Sequence, residues 1–419
     1  MDILRAYKFR IEPTLEQERS MRRIAGSCRF VWNAALARRQ SDYAAGLKSS
    51  NHHAMCKWLP AMKDNPQTAW LKASPSQTYQ VVLKNLAQAY TNFFEKRGKL
   101  PVFKRKHGGS GFSFPQGFTL DESNARIKLP KLGWIPYTKT RAVLGEVKNI
   151  SISCVAGKWF ASLQTERQIA APVARLNEAG EPTSAVGIDA GIKRFASFND
   201  GEHLAPLNSF KTHQARLARY QRRLARKVKF SNNWKKGKVK LQAIHARIAN
   251  VRKDYLHKAT TAISKNHALV CVEALKIKQM SKSAKGSLEK PGKQVAQKRG
   301  LNRAILDQGW GEFRRQLAYK LPANGGFLQL VPPQYTSQTC PICKRVDKAN
   351  RPSQAEFRCV ACSYENHADV VAAMNILERG LRLFACGRAG SARGHLISTQ
   401  PDLLKQEPPD VSVHEVSHV

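Results

Sequence analysis

Polar and apolar residues alternate over the first dozen positions, where Tyr7 and Phe9 interleave with Lys8 and Arg10, and this period of two predicts a strand over residues 3–12. Thr14 followed by Gln17 forms a capping-box pattern that opens a helix. That helix carries Met21, Ile24, Cys28, Val31 and Trp32 at helical spacing. Residues 77–90 repeat Tyr79, Leu83, Leu86 and Tyr90 in steps of three and four. From about 100 to 168 the pattern is extended. Ile150, Ile152 and Cys154 alternate with Ser151 and Ser153, and Ala156-Gly157 turns the chain into Trp159–Thr165. Pro115, Gly117, Pro130, Gly133 and Pro136 mark short strands and turns between 112 and 140. A strand, a helical insertion and further strands predict a small β-barrel interrupted by helices.

Residues 170–182 read as a linker. A strand then ends at Asp189, with Arg194–Asn199 as its hairpin partner. Between 211 and 260 stand sixteen Lys/Arg and one acid, Asp254. Leu217, Tyr220, Leu224, Ile244, Ile248 and Val251 supply an apolar stripe there, which predicts a folded helical pair with a basic outer surface. Residues 268–272 are wholly apolar and form a strand delivering Glu273. The Ser/Gly/Lys-rich stretch 281–300 reads as a mobile loop. A helix with Trp310, Phe313, Leu317 and Tyr319 follows, then a strand at 327–331 and a helix over 368–379. From 385 to 419 periodicity is lost and a disordered tail is expected.

Charge narrows the partner. Seventy Lys/Arg against thirty Asp/Glu give a net charge of +40. Such a surface favours a polyanion, because each phosphate contact releases counterions and steers association. The N-terminal residues lack the apolar core of a secretory signal, and no apolar run approaches the ~20 residues that span a bilayer. Cys28, Cys56, Cys154, Cys271 and Cys386 are scattered, which suits a reducing cytoplasm better than a disulfide framework.

The remaining cysteines are patterned. Cys340 and Cys343, then Cys359 and Cys362, form two C-x₂-C knuckles with the spacing of a four-thiolate zinc site. Two such knuckles at this separation favour a metal over a pair of thiol-redox motifs. Four thiolates leave no open position, so the Zn²⁺ is read as structural. Lys344 and Ser363 follow the knuckles where glycine is often preferred for its tolerance of positive φ. Three acids complete the chemistry. Asp189 and Glu273 end apolar strands, and Asp369 opens a helix. Carboxylates so placed can hold two Mg²⁺ for phosphodiester hydrolysis. Taken singly, each is an ordinary strand-end or capping residue.

At these residues the chain resembles the transposon-encoded TnpB family, also called OrfB transposases, relatives of the type V CRISPR nucleases. The matching stretches include AYKFRIEPTLEQ, CRFVWNAALARR, LPVFKRK, KLPKLGW, VGIDAGIKRFAS, VCVEALKIKQM, GWGEFRRQLAYK, SQTCPIC and HADVVAAMNI. The resemblance implies a multidomain α+β and α/β fold. A β-barrel wedge domain would span 1–12 and 96–169, with a helical recognition domain inserted at 13–95. An RNase H-like (RuvC) nuclease domain would span 183–334 and 364–384, with the four-cysteine zinc ribbon inserted at 335–363. It implies an RNA-guided DNA endonuclease, with Asp189, Glu273 and Asp369 as the RuvC-type catalytic carboxylates. The guide RNA would derive from the transposon end, and target DNA would be cut with Mg²⁺ beside a short adjacent motif.

Helix 76–90 matches the family's recognition helix, where Gln80 is a chemically sensible reader of adenine edges or an ordinary exposed residue. Lys104, Arg105, Lys128, Lys131 and Trp134 are candidates for nucleic-acid backbone contact. The chain departs from the family pattern where Val371 replaces an Asn and where His367-Ala368 precede Asp369 in place of Asp-Arg. Loss of that Asn puts cleavage rate in question. Two other classes stay open: an RNA-guided DNA-binding repressor without cleavage, and a strand-transferring transposase.

Overall fold

The computed structural model describes residues 2–47, 50–106 and 110–389, so most of the expected tail, 390–419, lies outside the described residues. The chain divides into two compact units, Met1–Ala171 and Pro172–Val419.

In the first unit β1 (Asp2–Ile11) leads into α1 (Leu15–Ala44). Both bonds of the Thr14–Gln17 capping box form. Three further helices follow: α2 (His52–Cys56), α3 (Trp58–Asp64) and α4 (Ser76–Phe94), with a 3₁₀ segment at Pro66–Ala73. The strands are β2 (Ser110–Phe114), β3 (Thr119–Asp121), β4 (Arg126–Leu129), β5 (Gly133–Pro136), β6 (Glu146–Val155) and β7 (Lys158–Gln168). One antiparallel sheet has the order β1-β7-β6-β2, and β3-β4-β5 form a second. A bridge between Ile11 and Tyr137 joins the ends of the two. Ala156 and Gly157 both have positive φ, 50° and 78°, as a two-residue hairpin turn requires. The apolar face of the sheet (Phe9, Ile11, Ile150, Ile152, Leu163) and the helical stripes (Met21, Val31, Tyr79, Leu83) share one core.

The second unit is built on β8 (Ala185–Asp189), β9 (Ala196–Phe198), β10 (His203–Leu204), β11 (Leu269–Glu273) and β12 (Phe327–Val331), in sheet order β10-β9-β8-β11-β12. β8, β11 and β12 run parallel, and β9 pairs antiparallel to β8. Helices α5 (Ser209–Ala225) and α6 (Asn232–Asn266) connect β10 to β11. Next come α7 (Ile277–Met280), α8 (Val295–Gln308) and α9 (Trp310–Ala323). The cysteine segment holds β13 (Glu356–Arg358) and β14 (Glu365–His367), and α10 (Ala368–Ala389) closes the unit. No described helix is long and apolar enough to cross a membrane.

Three expectations need correction. The loop expected over 281–300 ends at Gln294, where α8 begins. Its Lys and Gly content masked a helix that Ile305 anchors in the core, with Lys298 and Asn302 donating back to the carbonyls of Met280 and Ser281. The last helix runs ten residues past 379, to Ala389, and so takes in the first five residues of the expected tail. Phe384 on this extension stacks edge-on against Phe327 of β12, which holds the added turns on the sheet. In the α5–α6 pair, Leu217, Ile244 and Ile248 are buried but Val251 is exposed, because the buried stripe of α6 continues through Leu256 instead.

Candidate active site

The alternation of β8 and β11 decides where the carboxylates go. Val186, Ile188, Val270 and Val272 pack on one face of the sheet against Leu256, Ile263, Phe313 and Leu317. Leu269 and Cys271, with Ala185, face the other way, against Ile376 and Leu377 of α10. Asp189 and Glu273 continue this second set, since strand side chains alternate. Val272 is opposite Ile188 in the parallel register, so the two acids end neighbouring strands side by side. α10 approaches the same face closely. A Cβ on Gly187 would stand 2.1 Å from the carbonyl oxygen of Ala373, so only glycine lets the helix sit there. The first turn of α10 carries Asp369.

The electrostatics reflect the meeting of the three acids. Burial, then the Glu273 and Asp369 carboxylates, push Asp189 up from 3.8 to about 7, against the opposing influence of Arg351 and the Ala190 N–H. Burial also raises Glu273, whose Oε1 accepts a 2.6 Å hydrogen bond from Thr336 Oγ1 and which feels the Arg379 guanidinium. Arg351 lies 3.6 Å from Asp369 Oδ1, and His367 Nδ1 accepts from the Asp369 backbone N–H at 3.2 Å. Thr336, Arg351 and Arg379 were not singled out from sequence, and His367 was noted there only as a departure from the family pattern. All four lie in or beside the cysteine segment, and only the motif around Cys340 hinted at them.

A buried amide ties this segment to α10. Asn375 Nδ2 donates to the carbonyls of Thr336 and Thr339 at 2.8 and 2.7 Å. Val371 is fully buried among Cys340, Phe357, Cys359 and Ala368, so it serves the apolar core of the cysteine segment.

The four cysteines form a second, tighter cluster. All four Sγ atoms lie within 4.8 Å of one another, the one metal-competent group of this density among the described residues. Backbone N–H groups of Cys362 and Ala361 facing the Cys359 sulfur draw its thiol down to about 6. Lys344 and Ser363 adopt φ of 63° and 55°, the left-handed conformation that their positions after the knuckles call for. Soft thiolates in a closed set of four suit zinc, whereas the hard oxygens of the three acids suit a cation such as Mg²⁺.

The other predicted residues lie in the first unit. Gln80 is exposed on α4, and its backbone carbonyl meets His52 Nε2 at 3.3 Å. Lys104 Nζ sits 3.8 Å above the Trp32 ring, and exposed Arg105 follows it. Arg126 and Lys128 of β4 flank the half-exposed Trp134 ring of β5, at 4.5 and 5.9 Å. Lys131 donates to the Lys72 carbonyl at 2.8 Å.

Comparison with known proteins extends the picture. A family profile described as "Probable transposase" (OrfB_IS605) matches residues 163–284, one described as "Cas12f1-like, TNB domain" matches 310–376, and a "Helix-turn-helix domain" of the OrfB group matches 1–48. The chain is 50% identical over 411 residues to "Putative RNA-guided DNA endonuclease InsQ" of Escherichia coli, covering 98% of this chain and 99% of that one. The chain belongs to the OrfB (TnpB) family. A second relative, "Putative RNA-guided DNA endonuclease" of Streptomyces pristinaespiralis, is 31% identical over 97% of this chain and 96% of its own. A CRISPR-associated endodeoxyribonuclease, Cas12f1 of Sulfoacidibacillus thermotolerans, shares 42% identity over 71 residues, 16% of this chain and 17% of that one. In this OrfB chain the region matched as helix-turn-helix consists of β1 and the single long helix α1.

Proposed function

We propose that this transposon-encoded chain is an RNA-guided DNA endonuclease. The observation that carries the proposal is the meeting of Asp189, Glu273 and Asp369 at one edge and one face of a sheet. It occurs in a chain 50% identical, almost end to end, to a protein named for that activity. The sheet order, three antiparallel strands followed by two parallel ones, supports an RNase H-like (RuvC) nuclease domain over 183–334 and 364–384. The bridged sheets of the first unit support a wedge barrel, and helices α1 to α4 the recognition domain inserted in it.

Asp189, Glu273 and Asp369 would hold a pair of Mg²⁺. Such ions supply a water activated at neutral pH and neutralise charge on the leaving oxygen. The chain's own residues prepare the place. Burial and mutual repulsion raise Asp189 and so favour any cation that relieves them. Thr336 fixes the orientation of Glu273, and Arg351 steadies Asp369. The four cysteines would hold one structural Zn²⁺, which keeps Thr336 and Arg351 in place. Guide RNA from the transposon end and target double-stranded DNA would lie on the basic surface. Gln80, Lys104, Arg105, Lys128, Lys131 and Trp134 are the proposed contacts, and Trp134 with its flanking cations suits a stacked base and the phosphate beside it best. The cytoplasm, at the nucleoid, is the proposed compartment.

The test is to express the chain with its flanking DNA and sequence the RNA that co-purifies. The preparation, redirected to a plasmid with a randomised flank, is then assayed with Mg²⁺ beside Asp189→Ala. One dominant RNA, and cutting that depends on it, on a flank motif and on Asp189, is expected. Bound RNA with no cleavage product would instead establish the repressor.

A further inference from the structure

One turn into α9, two neighbouring arginines meet different fates. Arg315 forks Glu312, with Nε and Nη2 at 2.7 and 2.6 Å from its two oxygens. Arg314 is half-buried and has no carboxylate or other hydrogen-bond acceptor among the described residues. Its burial alone lowers its affinity for the proton it carries. Charged groups withdrawn from water are ordinarily paired, because desolvation of an unpaired ion is costly. A half-buried guanidinium with no protein acceptor therefore remains available to an external anion.

Its surroundings say which anion. Arg314 lines a slot with Ile188, Ala190, Val272, Glu273 and Trp310, at the carboxyl ends of β8 and β11. The slot measures about 20 Å³, room for a single water and far too little for a nucleotide. Trp310 is 6% exposed, and its indole N–H is buried without an acceptor. Both residues line the slot, but only Arg314 keeps its nitrogens at the solvent edge, since the Trp310 N–H is buried. Trp310 belongs to the core on the α6–α9 face of the sheet and Arg314 follows it one turn along α9, whereas the three acids lie on the α10 face. A strand crossing the carboxyl edge of the sheet meets the acids first and Arg314 next.

We infer that Arg314 binds the backbone phosphate adjacent to the scissile one as the substrate strand passes over the edge of the sheet. This rests on the nuclease reading above. Arg314 then acts as a positioning residue, because it holds the strand in line with the carboxylates and takes no part in bond breaking.

Methylphosphonate substitution tests this. Targets carrying one neutral methylphosphonate at each successive position around the cut are given to the guide-loaded full chain and to Arg314→Gln, which keeps the aliphatic stem. Loss of a charge-assisted hydrogen bond corresponds to about ten- to a hundredfold in single-turnover rate. Wild type should lose that factor at one position beside the cut. Arg314→Gln should be slow with every target, and indifferent to the modification at that position alone. Arg314→Lys should recover part of the rate and of the sensitivity. Parallel profiles for wild type and Arg314→Gln would overturn the phosphate site while leaving the nuclease standing. Absence of any Asp189-dependent cutting by wild type would remove both. Thermal midpoints of the variants show whether a slow rate reflects lost folding, which would slow every position equally.

Discussion

The two donor clusters of the second unit were assembled in opposite ways. The cysteines come from one short segment, and local turns bring all four sulfurs within 4.8 Å. The carboxylates come from β8, β11 and α10, far apart in sequence, and meet only because the sheet and helix pack. The cysteine cluster is closed and finished by its own backbone, including two residues held at positive φ. The carboxylate cluster is left in tension, with Asp189 raised to about 7 by burial and by its neighbours. A site meant only to hold shape can be completed locally, whereas a site meant to do chemistry keeps charge that a cation and a substrate must balance.

The sharpest way to break this comparison is Gly187→Ala, which touches no donor. Its Cβ would meet the Ala373 carbonyl at 2.1 Å and the Leu377 nitrogen at 2.7 Å, so α10 must move off β8 and carry Asp369 with it. A shift of this kind costs about a hundredfold in reactions that need exact placement. Single-turnover cutting should fall by that order while the zinc content, measured by atomic absorption, stays at one per chain. Cutting at the wild-type rate would mean that the helix does not position Asp369.

Next in size is the pH response of the metal-free protein. Asp189 is raised in the folded chain from an ordinary 3.8, so it favours folding fully below about pH 4, and that contribution disappears as pH rises through about 7. Glu273 is shifted in the same direction. Allowing for partial exposure, the loss for Asp189 is on the order of 2 kcal/mol. In chelator, denaturant unfolding from pH 4 to 8 should therefore show wild type losing stability relative to Asp189→Asn, with Mg²⁺ restoring it. Superimposable pH profiles for the two proteins would show that the acids are not in tension.

A smaller effect is expected from the opposite cluster. Cys359→Ser should abolish bound zinc and loosen the segment that supplies Thr336 and Arg351. Supporting residues of this kind are worth about tenfold in activity, and single-turnover rates would show it. A loss as complete as that of Asp189→Ala would make the zinc part of the chemistry.

These contrasts also explain what the sequence could show. The knuckles were legible because their chemistry is local: spacing alone predicts the cluster, and even the positive φ at Lys344 and Ser363 follows from it. The strands ending in Asp189 and Glu273 were legible as apolar runs. Their common face needed the parallel register, which no local pattern encodes. Arg351 and Thr336 were invisible for the same reason, since their partners lie on other elements. The loop over 281–300 failed differently. Its composition up to 294 resembled a linker, but from 295 onward Ala, Gln, Lys, Arg and Leu favour a helix in spite of Gly300, and burial of Ile305 and the back-bonds of Lys298 and Asn302 anchor it.

The smallest effect bears on how finished the cysteine cluster is. Ser363 and Lys344 both hold a left-handed backbone that glycine adopts freely, a difference of about 1 kcal/mol, partly offset by the greater freedom of glycine in the unfolded chain. Ser363→Gly should therefore tighten zinc binding severalfold in a chelator competition. Lys344→Gly gains the same backbone relief but gives up the 2.6 Å ion pair with Glu378 and the 2.7 Å bond to the Pro341 carbonyl, partly exposed contacts together worth about 0.2–1 kcal/mol. The two terms are of equal size, so Lys344→Gly should leave zinc affinity nearly unchanged. Equal tightening by both variants would show that these contacts contribute nothing. No tightening by Ser363→Gly would show that the positive-φ strain is already relieved by the backbone bond from Ser363 to Cys359.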